Sequence, residues 1–260
     1  MSTYTTLVIP SSLSDESLTH LAQKLRTFKL HALLSDPNAF SQSHAAESEL
    51  PPAAWEARVA NPDFRIVVCI IDNRELDSPL VESEDTYEPS PQLTSKRNAS
   101  IVQGLVEAEW AGTFTLVGPV ARSAWLCPGS GQPTPAADGA ETRWHLTSLF
   151  VLPEHRGQGL AAKLTRAAIL AGSAASIALP GQLGSQEACG DVRAPTRFRL
   201  IVHPNNRPVV SLYEKLGFVL SGLYTQREAM AAMGDAAGVP VDAQAEKWDT
   251  RFGIGMEYLI

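Results

Sequence analysis

Apolar positions in this chain follow two periods, and each change of period marks an element. Thr3 to Pro10, TYTTLVIP, alternates well enough for a first strand. The next stretch, SDESLTHLAQKLRTFKLHALLSDP, opens on a capping-type Ser14 and sets Leu18, Leu21, Leu25 and Phe28 at helical spacing. PPAAWEARVA reads as a short helix begun by prolines, and FRIVVCIID, Phe64 to Asp72, as a β-branched strand. ASIVQGLVEAEW, Ala99 to Trp110, is expected to resume the sheet, and WHLTSLFVL, Trp144 to Leu152, to add another strand. After it, Leu160, Leu164, Ala167, Ala168 and Ala171 line one face of a helix while Lys163 and Arg166 take another. FRLIV, Phe198 to Val202, is a strand. NRPVVSLYEKLG, Asn206 to Gly217, has Pro208 in a first turn and Gly217 as a C′ residue, which predicts a helix between them. FVLSGLYTQ and FGIGMEYLI read as two final strands.

Four stretches break these patterns with polar, Gly, Pro or Ser-rich sequence: 73–98, 127–141, 172–196 and 229–248. They are read as loop insertions, the first of them mobile, in one α+β domain spanning 1–260. A net charge of −7 and a pI near 5.4 argue against a nucleic-acid partner. The three cysteines, Cys69, Cys127 and Cys189, are far apart and lack ligand spacing, so neither a disulfide framework nor a metal site is expected. They fit a reducing compartment, and a cytoplasmic location is expected, with the nucleus left open. MSTYTTLVIPSS lacks the basic flank and long apolar region of a secretory signal. Ala167 to Gln186 is uncharged but rich in Ala, Gly and Ser and interrupted by Pro180, so no membrane span is expected.

The candidate chemistry sits between the 144–152 strand and the following helix, in LPEHRGQGLA. Small residues opening into a helix leave backbone N–H groups without intrahelical partners, and the helix dipole adds positive potential, so an anion and most simply a phosphate suits the place.

RGQGLA matches the R/Q-x-x-G-x-G/A pattern of the GNAT N-acetyltransferase superfamily, with Arg156 first, Gly159 fourth and Ala161 sixth. About fifty residues later NRPVVSLYEKLGF resembles the superfamily's second signature, an Asn and a Tyr on a helix closed by Gly-Phe. RTFKLHALLSDPNAFSQS also resembles the first helix and loop of many small-molecule members, so the resemblance covers nearly the whole chain outside the insertions. It implies an α/β/α fold with a mixed, mostly antiparallel central sheet, flanking helices, and two splayed parallel strands, here 144–152 and 198–202.

It also implies acetyl-CoA as cosubstrate. The N–H groups of Arg156, Gly157, Gln158, Gly159, Leu160 and Ala161 would hold its pyrophosphate, the Arg156 side chain either joining them or bracing the loop. Leu149, Phe150 and Val151 would pair with the pantetheine arm, and an N–H near Leu149 or Phe150 would face the thioester oxygen. Asn206 matches the asparagine that meets the pantetheine, with helix capping as its alternative role. Tyr213 matches the tyrosine beside the sulfur and is the candidate general acid. For the base three residues compete: His145, and Glu107 and Glu109 on the preceding strand. Arylalkylamine N-acetyltransferases look similar at His145 but carry His-x-His, whereas this chain has His145, Leu146 and Thr147. His203, beside Pro204, reads as structural.

The resulting expectation is an N-acetyltransferase passing acetyl to a primary amine, favoured to be a small molecule, by direct attack in a ternary complex, as a monomer or homodimer. A protein or peptide amino group is the alternative acceptor. A noncatalytic acyl-CoA-binding module is the alternative of another class.

Overall fold

The computed structural model describes residues 3–37, 40, 42–72, 91–177, 194–233, 239 and 245–260. Strand β1, Thr3–Val8, leads into helix α1, Asp15–Ser35. Ser14 caps α1 by accepting from Ser17 N, and Asp15 and Glu16 in the first turn suit its dipole. Short helices α2, His44–Ser48, and α3, Pro52–Ala60, precede strand β2, Phe64–Asp72. On α3, Trp55 and Val59 are buried one turn apart.

Ala99 to Glu107 is where the expected strand fails. Helix α4 runs Pro91–Glu107, and strand β3 begins only at Trp110 and ends at Val117. Ile101 and Leu105 recur at four residues, and Leu105 is fully buried against the α1 side. Lys24 of α1 closes the helix end, its Nζ donating to the carbonyls of Val106 and Ala108 at 2.9 and 2.5 Å, and Trp110 Nε1 donates to Leu105 O. Residues 73–90 of the first expected insertion lie outside the described residues.

After the one-turn helix α5, Arg122–Trp125, come strand β4, Thr142–Val151, helix α6, Leu160–Ile177, and strand β5, Thr196–Val202. Helix α7, Arg207–Lys215, strand β6, Val219–Tyr224, helices α8, Gln226–Ala232, and α9, Ala245–Asp249, and strand β7, Gly253–Leu259, complete the described chain. The expected break at Gly172 is also corrected. Gly172 is small because α6 crosses Phe198 there, where a Cβ would lie 2.6 Å from the ring, and the helix continues to Ser176, whose Oγ accepts from Trp144 Nε1.

The seven strands form one sheet in the order β1-β2-β3-β4-β5-β7-β6. It is antiparallel except at β4 and β5, which run parallel. Period-two alternation sends Val67 and Cys69 of β2 towards α6 and Ile66, Val68 and Ile70 towards α1, giving a core on each face. The expected mixed, mostly antiparallel sheet with flanking helices is therefore present.

Candidate active site

Strands β4 and β5 pair over only four rungs, from Thr142 with Thr196 to His145 with Arg199. Beyond them β4 follows β3 as far as Val151, while β5 follows β7 as far as Val202. Each strand keeps its outer neighbour, so the sheet opens between them.

A bulge in β4 accompanies the opening. Thr147 pairs with Thr115 and Phe150 with Thr113, so Ser148 and Leu149 together oppose Phe114. Ser148 carries the extra turn with φ 58, the one non-glycine residue of positive φ among the described residues. The effect appears in the cores. Trp144 and Leu146 face α6, and unbroken alternation would place Phe150 with them, yet Phe150 packs on the α1 side and Val151 on the α6 side. A serine held there stores about 1–3 kcal/mol of strain, the kind of cost that collects at functional sites.

The loop after β4 leaves open space beside its backbone. Pro153–His155 forms a single tight turn, fastened to β1 by the 3.1 Å contact of Tyr4 Oη with His155 Nδ1. Gly157 and Gly159 follow with φ of +78° and +72°, and a Cβ on either would meet no heavy atom within 4 Å. The conformation favours glycine and the space beside it is open. α6 begins at Leu160 with no acidic residue in its first turn, so unpaired N–H groups and the positive dipole end face that space. These features fit a pyrophosphate without further donors. Arg156 braces the loop: its Nε donates to Val151 O at 3.0 Å, and its guanidinium lies over Phe150 and 3.6 Å from Asp36.

Across the opening, Asn206 is the N-cap of α7, but its side chain makes no capping bond, and it is exposed. Its carbonyl takes the N–H groups of Val209 and Val210. Tyr213 lies one side of the same apolar cluster that holds Val151 and Leu160, its ring 5.3 Å from that of Phe218. Burial pushes its pKa up, so the phenol remains a proton donor.

The structure does not gather the base candidates at the opening. His145 occupies the last paired rung, is 1 % exposed, and burial, aided by the Arg199 charge, depresses its pKa to about 3. Such an imidazole is neutral and weakly basic. Glu107 ends α4 and Glu109 lies in the α4–β3 connection, so neither stands on a strand as expected. Glu109 is exposed, near the charge of Lys24, on the β3 side of β4 rather than the β5 side. His203 shapes the turn after β5, with Nδ1 accepting from Asn205 N and its ring against Phe252.

Several neighbours of the opening carried no sequence signal. Ser148 is one, because a bulge is set by strand register. Lys29 of α1 reaches Ser148 Oγ at 3.4 Å, and Met233, just past α8, meets Thr147 Oγ1 through its sulfur at 3.1 Å. Beneath the paired rungs lies a buried ionic layer. Glu141 accepts from Arg197 and sits 3.2 Å from Arg143 Nε, Arg197 also bonds Glu257, and Arg199 donates to Trp125 O, Gln132 Oε1 and Tyr224 Oη.

Residues 123–220 match the family model described as an acetyltransferase (GNAT) domain, a span that runs from α5 through α7 into β6. Among solved structures, an acetyltransferase of the GNAT family from Streptococcus pneumoniae superposes with a TM-score of 0.50 at 14% identity, covering 98% of this chain and 99% of that one. NAA60 from Arabidopsis thaliana in complex with acetyl-CoA gives 0.47 at 12% identity over 99% of each chain. Spermidine N-acetyltransferase from Vibrio cholerae in complex with CoA and spermine gives 0.43 at 12% identity, over 98% of this chain and 95% of that one. No curated protein sequence matches the chain.

Proposed function

We propose, from the premise that this chain carries a GNAT acetyltransferase domain, that it transfers acetyl from acetyl-CoA to a primary amine of a small molecule. The observation that carries the reading is the short pairing of β4 with β5. It leaves the β4 edge from Leu146 to Val151 without a β5 partner, directly before a glycine loop with open space at both glycines. An extended chain ending in a pyrophosphate fits that sequence of features: strand-like pairing along Leu149 to Val151, then anion contacts from Arg156 to Ala161.

Transfer forms a bond between the amine nitrogen and the thioester carbon, breaks the C–S bond, releases one proton from nitrogen and supplies one to sulfur. Tyr213 is the donor to sulfur, and its burial suits the role because the hydroxyl stays protonated at all working pH values. The bulge at Ser148 turns the backbone of β4, which supports an N–H of Leu149 or Phe150 as the donor to the developing oxyanion. His145 is too weak a base to hold the amine proton, so the neutral fraction of the amine is the reacting species, its proton passing to water after attack. Asn206, free of capping duty, is available to the arm of the cosubstrate.

Turnover of acetyl-CoA with a broad panel of primary amines tests the reading. Thiol release well above hydrolysis, dependent on amine, is expected. Acetyl-CoA binding with no amine-dependent release from any member would reduce the protein to an acyl-CoA-binding module.

A further inference from the structure

We infer that Tyr4, on the edge strand β1, is a positioning residue for the cosubstrate: acting through His155, it fixes where the glycine loop starts and so sets the affinity for the pyrophosphate. The inference rests on the cosubstrate reading above. β1 lies outside both sequence signatures and outside residues 123–220.

Tyr4 Oη lies 3.1 Å from His155 Nδ1, and the two rings meet edge to face with centroids 5.8 Å apart. A phenol both donates and accepts, so the bond forms with either imidazole tautomer. His155 Nε2 is buried and without a hydrogen-bond partner among the described residues, which leaves Tyr4 as the group that holds the imidazole. In the sheet order β2 and β3 stand between β1 and β4, a span of roughly 14 Å at ordinary strand spacing. The contact bridges that width.

His155 and Arg156 are consecutive, yet they are anchored on opposite faces of the sheet. Tyr4 packs on the α6-side cluster. The Arg156 guanidinium instead lies over Phe150, a member of the α1-side cluster, and its Nε returns to Val151 O at 3.0 Å. Two anchors that straddle the sheet fix both the position and the rotation of the chain where it enters Gly157, Gln158 and Gly159. Glycines have the most conformational freedom to lose, and a loop ordered before its ligand arrives loses less of it on binding. Releasing the His155 anchor therefore weakens whatever the loop holds and spares what β4 alone holds.

Calorimetric titration with CoA, and with pantetheine, which carries the arm but no pyrophosphate, tests this in the parent, Tyr4→Phe, His155→Phe and the double variant. Each substitution keeps a ring and removes the hydrogen bond. Each single variant should bind CoA about fivefold more weakly, the effect of one part-buried hydrogen bond, with pantetheine affinity unchanged. The double variant should also be about fivefold weaker rather than about twenty-five-fold, because both substitutions break the same link. Unchanged CoA affinity in Tyr4→Phe, an equal loss for pantetheine, or multiplied losses in the double variant would overturn the inference and leave Tyr4 as packing. The expected pattern in a protein that acetylates no amine would sustain it and overturn the transferase reading alone. A parent that binds no CoA would overturn both.

Discussion

The two ends of β4 differ in nearly every physical respect although they are ten residues of one strand. From Thr142 to His145 every residue is paired with β5, β3 joins on the other side at His145, and the buried polar groups here are arginines, glutamates and one neutral histidine. From Leu146 to Val151 it loses β5, bends at Ser148 and runs into a glycine loop with open space beside it. The first half resembles a clamp and the second half a slot. A slot of this kind holds its shape only if the strands are prevented from zipping together, and the bulge and the fixed paired rungs do this from opposite ends. The difference implies that mutations in one half should alter ligand handling and leave the fold, while those in the other should do the reverse.

The largest effect is expected from Gly159→Glu. The backbone there is left-handed and the space is empty, so the fold should tolerate a side chain at modest cost, but a carboxylate would repel the pyrophosphate. The thermal stabilisation that acetyl-CoA gives the parent protein should vanish. A folded variant that kept the full shift would remove the loop from the site.

Glu141→Gln attacks the clamp. Glu141 is 4 % exposed between Arg143 and Arg197, and breaking a buried ion pair costs about 3–5 kcal/mol. Denaturant unfolding should register the loss, with acetyl-CoA affinity of the folded fraction preserved. A large change in affinity instead would mean that the two halves are not separable.

Tyr213→Phe returns to the slot at a single atom. The ring that packs on Phe218 remains, so stability and cofactor affinity should hold, while kcat should fall about a hundredfold if the hydroxyl protonates sulfur. Equal kcat values, with chemistry limiting, would leave Tyr213 as packing alone.

The smallest effect is a pH slope from His145. Folded, the imidazole stays neutral down to about pH 3, whereas its ordinary value is 6.5. Between those values the unfolded chain binds more protons, so stability is complete above pH 6.5 and declines as pH falls towards 3, by about 2 kcal/mol at pH 5. Comparing urea midpoints of the parent and His145→Gln at pH 7 and pH 5 should show a slope that the variant lacks. A parent slope retained by the variant would assign the acid sensitivity elsewhere.

Local pattern was enough to find the elements whose signals are local. Ser14 before α1, the β-branched run of β2 and the Pro208 and Gly217 punctuation of α7 each lie where the chain uses them. The two glycine signatures likewise marked the loop and helix that border the opening. Ala99 to Glu107 misled because Ile101, Val102, Leu105 and Val106 satisfy either period over so short a run, and the decision came from Lys24, far away in sequence, closing the helix end. Ser148 was illegible for a deeper reason: its conformation is fixed by Thr113, Phe114 and Thr115 on the neighbouring strand. His145 was legible as an ionisable group on the right strand, but whether it can act depends on burial beside Arg199, which no spacing reveals.

Strand β6 is the outer rim of the sheet, and Val219, Leu220 and Leu223 on it are exposed. An uncovered rim with apolar side chains is a template for another chain's backbone. Part of this rim is already occupied: Ser130 of the 127–141 segment offers its carbonyl to Leu223 N at 2.8 Å, and Gly222 permits the approach because a Cβ there would sit 2.6 Å from that oxygen. A segment read from the sequence as a loop insertion thus covers part of the rim. Trimming it would be expected to shift the protein towards aggregates grown edge to edge, even where cofactor affinity in the surviving monomer was untouched.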